Sequence, residues 1–141
     1  MADSASPAPR WGVAPYFLVA DVVAAANDYR DRLGFAYERF WGEPPAFCMV
    51  YRRGVVIMLK QAATAGAPRP NHRADSHADA WDAYVWVADA DVLHAEVVAR
   101  GATVIRPPCD QEYGCRDFEV DDRDGYRLCF GHNLTARQHT P

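Results

Sequence analysis

Asp82, Tyr84 and Trp86 stand at alternate positions near the middle of the chain. Successive side chains of an extended strand point to opposite faces, so here one acid and two large rings project together. Tyr16 and Leu18 repeat the spacing near the start, and Arg127 and Cys129 repeat it near the end. With Met58 these residues describe a wall of rings and soft apolar groups that carries one acid and one base. Rings offer flat apolar area at little entropic cost on binding, and a charge beside them fixes orientation. Such a wall suits a planar or amphipathic organic molecule. Two plainer readings compete: the rings fill space between sheets, or Asp82 and Arg127 form an internal ion pair that holds two strands in place. In a reacting site Asp82 would act as base and Arg127 would stabilise an oxyanion, although a lone acid and base are common in pockets without chemistry.

Other donors of chemistry are scattered. Cys48, Cys109, Cys115 and Cys129 contain no CxxC pair and read as reduced thiols in core or pocket positions. His72 and His77, with Asp75 and Asp79, fall in a polar connecting stretch; His94 lies at the edge of a helical face, and His132 and His139 belong to the C-terminal tail. None falls on the strands that carry the wall.

The elements that must position the wall occur twice. Val19-Ala20-Asp21-Val22 leads into a helical stretch that stops at Leu33-Gly34-Phe35, and Val87-Ala88-Asp89-Ala90 leads into another that stops at Arg100-Gly101-Ala102. Asp21 and Asp89 are N-cap residues by type, and Gly34 and Gly101 supply the stops. Val22, Ala25, Tyr29 and Leu33 line one helical face, as do Ala90, Leu93 and Val97. Later in each half a turn glycine, Gly54 or Gly125, precedes an apolar strand. Alternation predicts strands over 16–19, 35–41, 47–51, 55–60, 84–87, 103–105, 116–120 and 127–130. On the first strand Phe17 and Val19 should face the helix, leaving Tyr16 and Leu18 for the pocket. Val85 and Val87 repeat that division, as do Leu128 and Phe130 against Arg127 and Cys129. Each half thus runs strand, helix, then three strands: an α+β fold of two tandem βαβββ modules, their curved mixed sheets surrounding a shared cavity. Residues 1–10 are expected to form a disordered tail, 11–132 one domain (module one 11–60, linker 61–80, module two 81–132), and 133–141 a second tail.

Composition narrows the partners. Nineteen acids against 15 Lys and Arg give a net charge of −4, without a basic stripe for a phosphate backbone, so nucleic acid is excluded. There is no apolar run of membrane-spanning or signal-peptide length. No membrane association and a cytoplasmic location are expected.

With the repeat in place, the sequence resembles the vicinal oxygen chelate superfamily, which includes glyoxalase I, extradiol dioxygenases and bleomycin-resistance proteins. The resemblance runs from about Val13 to Gly131. It is carried by Pro15-Tyr16-Phe17-Leu18-Val19-Ala20-Asp21-Val22, Tyr29 and Leu33-Gly34-Phe35 in the first half. In the second it is carried by Val87-Ala88-Asp89-Ala90-Asp91, Gly101, Gly114-Cys115-Arg116-Asp117-Phe118 and Asp122-Arg123-Asp124-Gly125, where Arg123 replaces the proline of the family's D-P-D-G turn. The resemblance implies four metal-ligand positions, occupied here by Ala14, Met58, Asp82 and Cys129 where family enzymes place His, Gln or Glu. Neither a metal nor any other cofactor is therefore expected. The reading closest in character is the bleomycin-resistance branch: a homodimer that sequesters a small aromatic or peptide-like compound through Tyr16, Leu18, Met58, Asp82, Tyr84, Trp86, Arg127 and Cys129, with no catalytic residue. The alternative is a metal-dependent lyase or dioxygenase with an atypical ligand set including Asp82 and Cys129.

Overall fold

The computed structural model describes residues 10–74 and 80–134. The predicted N-terminal tail except Arg10, the tail beyond Leu134, and Asp75, His77, Asp79 and His139 lie outside the described residues.

Module one begins with β1 (Tyr16–Val19), whose C-terminal end feeds α1 (Val22–Leu33). Asp21 is extended, and its carboxylate accepts from the Ala24 N–H at 3.1 Å, which satisfies one of the free amides of the first turn. Gly34 ends the helix at φ 73°, a left-handed conformation that favours a residue without Cβ. The strands β2 (Phe40–Trp41), β3 (Phe47–Arg52) and β4 (Val55–Gln61) follow. β4 pairs in parallel with β1 and antiparallel with β3, giving the order β1-β4-β3-β2 for sheet one. A two-residue turn, Arg53-Gly54, joins β3 to β4 with positive φ at both positions, the geometry that suits the twist of a hairpin.

A short helix, α2 (Asn71–Ala74), interrupts the predicted linker. Module two then repeats the plan with β5 (Ala83–Trp86), α3 (Ala90–Ala99), β6 (Thr103–Asp110), β7 (Cys115–Asp121) and β8 (Arg127–Asn133). Sheet two has the matching order β5-β8-β7-β6. Asp89 caps α3 by accepting from the Asp91 and Val92 amides. The two mixed sheets with their helices are the α+β fold of two βαβββ modules that the repeat predicts.

Three strands differ from the sequence pattern by more than one residue at an end. The predicted strand over 35–41 shrinks to Phe40–Trp41, with Ala36 bridging Tyr51, because Phe35 turns into the core beside Tyr29. β6 extends to Asp110 through two register irregularities, which let a segment containing Pro107 and Pro108 stay on the sheet edge. β8 runs on to Asn133, so His132 is not a tail residue: its Nδ1 accepts the Ala90 N–H at 2.9 Å, at the start of α3.

One core unites the helix-side faces of both sheets, with Phe17, Val19, Ile57 and Leu59 from sheet one and Val85, Phe118, Val120, Leu128 and Phe130 from sheet two. The modules meet on that side. The Phe17 ring stacks on Tyr126 at 4.2 Å, the Tyr126 hydroxyl donates to the Leu18 carbonyl at 2.7 Å, and the Asp124 carboxylate accepts the Ala20 N–H at 2.8 Å. Across the same junction Arg52 in the first hairpin pairs with Glu96 in α3 at 2.7 Å. The opposite face of each sheet is left for function.

Candidate functional site

Alternation sorts the strand residues as predicted, and the two open faces prove chemically different. On sheet one, Tyr16 lies beside Met58, and Met58 beside Met49. Tyr16 also lies 6.2 Å from the Phe47 ring, which in turn meets Trp41 at 5.7 Å. Tyr16 is 56% and Leu18 40% exposed. This face is open and mostly apolar, with Lys60 beside Leu18 and Phe47.

Sheet two buries polar groups on its open face. Asp117 on β7 has no exposed surface, yet its side chain accepts four hydrogen bonds: from Arg106 Nη2 at 2.6 Å, Tyr113 Oη at 2.6 Å, Tyr84 Oη at 2.9 Å and Gln111 Nε2 at 3.2 Å. Burial works against its charge, but the hydrogen bonds from Tyr113, Arg106 and Tyr84 outweigh it and hold the carboxyl below its ordinary range. Arg106 also reaches Glu119 at 3.2 Å, so one guanidinium serves two acids. Desolvation, reinforced by hydrogen bonding to Cys115 and Asp117, pushes the Tyr84 hydroxyl well above its usual value; burial with the Asp117 bond does the same to Tyr113. Both phenols stay protonated donors.

Gly131 makes this arrangement possible. It pairs in register with Trp86 on one side and Asp117 on the other, and a Cβ there would overlap the Tyr84 hydroxyl. A glycine inside a strand is the sequence signal for such a close approach.

Above the network lies a cavity of about 310 Å³ walled by Trp81, Tyr84, Trp86, Tyr113 and Cys115. Its volume is within the range of small-molecule sites. The Tyr84 ring lies 5.5 Å from Trp81 and 4.8 Å from Trp86, with planes inclined by 61° and 54°. A larger cleft of about 380 Å³ opens on the helix side between modules, lined by Phe35, Val55, Val87, Leu93 and Val97 among others. Of its charged walls, Arg52 binds Glu96 and the Leu33 carbonyl, Asp89 caps α3, and Arg53 sits in the exposed hairpin turn.

The residues predicted from spacing therefore divide. Tyr84 and Trp86 wall the aromatic cavity. Cys129 is fully buried opposite Tyr84 and Glu119, and Tyr16, Leu18 and Met58 occupy sheet one. Asp82 and Arg127 are joined differently from the predicted ion pair: the Asp82 carboxylate accepts the backbone N–H groups of Arg127 and Asn71, both at 2.8 Å, while the Arg127 guanidinium donates to Asp121 at 2.8 Å. Asp121 is the in-register neighbour of Arg127 on β7, whereas Asp82 precedes β5 and meets the start of β8 at its backbone. Trp81, Gln111 and the Arg106–Asp117–Glu119 cluster were not drawn from spacing, because β6 and β7 bring them together only through a bulged pairing.

The four positions implied for metal ligands do not fit a hard divalent ion. Ala14 has no donor, Met58 offers a thioether, and Asp82 is engaged by two amides. Burial, with the charges of Asp117 and Glu119, raises the Cys129 thiol and opposes the thiolate a metal needs. Among the described residues no three His, Cys, Asp or Glu side chains are grouped so as to hold a metal ion.

The family model of the Glyoxalase/Bleomycin resistance protein/Dioxygenase superfamily matches residues 13–130. The chain belongs to this superfamily. Among curated proteins none matches the sequence. Among solved structures, the chain is similar to TioX from Micromonospora sp. ML1 at 21% identity and TM-score 0.64, covering 87% of this chain and 96% of that one. It is similar to the bleomycin-binding protein of Streptomyces verticillus, solved with copper(II)-bleomycin, at 24% identity and TM-score 0.62 with 88% and 97% covered. A glyoxalase-related enzyme from Clostridium phytofermentans gives 17% identity and TM-score 0.69 with 89% and 96% covered. Superfamily membership covers binders and enzymes alike, so function must be argued from the site. No helix among the described residues is long and apolar enough to cross a membrane.

Proposed function

We propose that this superfamily member binds a small aromatic or peptide-like organic compound without metal and without transforming it, as a cytoplasmic homodimer. The observation that carries the reading is the aromatic cavity set over a polar network whose members are spent on one another. Asp117 is saturated with donors, Tyr84 and Tyr113 are held as neutral phenols, and the Cys129 thiol is pushed up. A general base or nucleophile must be deprotonated and open toward the substrate, whereas the Asp117 oxygens are taken up by donors and the two phenols and the thiol keep their protons. Rings remain to make contact. The TioX and bleomycin-binding folds are consistent with this use, and the exposed apolar face of sheet one supports a dimer, since a second copy would cover Tyr16 and Leu18.

The test is a thermal-shift panel of aromatic antibiotics and metabolites, run with and without chelator on protein purified without a polyhistidine tag. A ligand at a hundred times its Kd stabilises by about 2.7 kcal/mol. Shifts that survive chelation and vanish in Trp86→Ala, with the ligand-free melting point unchanged, support the proposal. Absence of any shift overturns it, and shifts that require added metal, together with stoichiometric metal by elemental analysis, favour the lyase or dioxygenase alternative.

A further inference from the structure

We infer that the cavity walled by Trp81, Tyr84, Trp86 and Tyr113 receives a compact organic cation, a fully alkylated ammonium head in particular. This rests on the binding function proposed above and names the group that the bound aromatic or peptide-like compound would present to this cavity.

The inclination of the rings is the first argument. Two parallel ring faces would sandwich a flat ligand, whereas Tyr84 is inclined by 61° to Trp81 and 54° to Trp86. Rings set in this way form the sides of a box, and a rounded head touches several of them at once. Each ring face carries the negative part of the quadrupole, and a cation within about 6 Å of the centroid is attracted to it, most strongly by Trp.

The second argument is charge. Behind Tyr84 and Tyr113 stands Arg106 against Asp117 and Glu119, one base against two acids. The cluster thus biases the box toward positive charge. Tyr84 and Tyr113 both donate to Asp117 Oδ2, and a phenol donating to an anion is polarised toward phenolate, which enriches its ring.

The third argument selects among cations. Because both phenol oxygens are turned down onto Asp117, they are not directed at the lumen, and a primary ammonium entering it would surrender water without recovering hydrogen bonds. A quaternary head has no N–H to satisfy.

The experiment titrates the whole chain with choline, with 3,3-dimethylbutan-1-ol, which has the same shape with carbon in place of the charged nitrogen, with ethanolamine, and with the neutral flat ring 2-naphthol. Calorimetry and quenching of Trp fluorescence are the readouts. Choline should bind at least tenfold more tightly than either the isostere or ethanolamine. Trp86→Ala should abolish that binding, and Tyr113→Phe should weaken it severalfold, since both residues are exposed enough (63% and 55%) for the fold to survive. Equal affinity for choline and its isostere, or binding of 2-naphthol alone, overturns the cation inference while leaving the proposed binding function intact. Silence from all four probes at millimolar concentration also overturns it, and the function then stands or falls on the antibiotic and metabolite panel.

Discussion

Tyr29 of α1 donates its hydroxyl to Asp122, in the turn before β8, at 2.7 Å, and so ties the helix of module one to the hairpin of module two inside the core. Asp122 also accepts the Asp124 and Tyr126 amides. Desolvation outweighs these bonds and lifts its pKa from 3.8 to about 7. The folded chain therefore holds a proton there that the unfolded chain releases near pH 4. Its contribution to stability is full below pH 4, is lost as pH rises through about 7, and is constant above that. Burial raises Asp124 and Asp28 in the same direction. The unfolding free energy from urea denaturation should fall by on the order of a few kcal/mol between pH 4.5 and 8. Asp122→Asn should flatten most of that slope, and an unchanged slope in the variant would contradict the assignment.

Gly131 is the position where one added carbon reaches furthest. In Gly131→Ala the new Cβ displaces the Tyr84 hydroxyl and crowds Asp117, so a bond to a buried carboxylate is lost or strained. The expected cost is about 1–3 kcal/mol, with loss of ligand binding as Tyr84 leaves its place. Tyr84→Phe in the same chain removes the overlapping oxygen, so the two substitutions should couple by more than ~0.5 kcal/mol in a double-mutant cycle. Simple additivity in chemical denaturation would mean that Tyr84 does not sit against the Gly131 backbone.

What the sequence reveals about this molecule follows the range of the interactions. Asp21, Gly34 and the Arg53-Gly54 hairpin act on their immediate neighbours, so residue type and spacing suffice to place them. The division of Tyr16 from Phe17 and of Trp86 from Val85 is likewise legible, because it needs only alternation. The Asp117 cluster is not, since Arg106 reaches Glu119 and Asp117 across a pairing with irregularities on both sides of Arg106. A signal was nonetheless present: Asp117 and Glu119 alternate with core residues Phe118 and Val120, and two acids on the inward side of a strand call for a buried cation. Which way the two open faces point relative to each other depends on how the modules pack through Tyr29, Phe17 and Tyr126, contacts separated by roughly a hundred residues that no local pattern encodes.

Arg106 compensates two carboxylates that are almost wholly buried. Arg106→Ala leaves Asp117 and Glu119 facing each other's charge with only neutral donors, and removal of one member of a buried ionic group costs about 3–5 kcal/mol. Arg106→Lys keeps the charge but has a point donor in place of the fork, so it should recover part of that loss. The cost in Arg106→Ala should shrink as pH is lowered and the acids take up protons. Equal stability of wild type and Arg106→Ala at pH 7 would show that the cluster does not hold the sheet.

Tyr16 and Leu18 are large apolar residues exposed on a strand whose alternate residues, Phe17 and Val19, are buried. Their removal should cost the isolated chain little, since substitutions at exposed positions are usually within about 0.5 kcal/mol. In a dimer built on this face the same substitutions bury charge against a partner. Tyr16→Glu and Leu18→Glu should therefore leave the unfolding midpoint of dilute protein nearly unchanged, while lowering the molar mass seen by light scattering at tens of micromolar toward that of a single 15.7 kDa chain. If the wild type already scatters as one chain at that concentration, sheet one is not a dimer interface, and Tyr16 and Leu18 are free for a ligand alone.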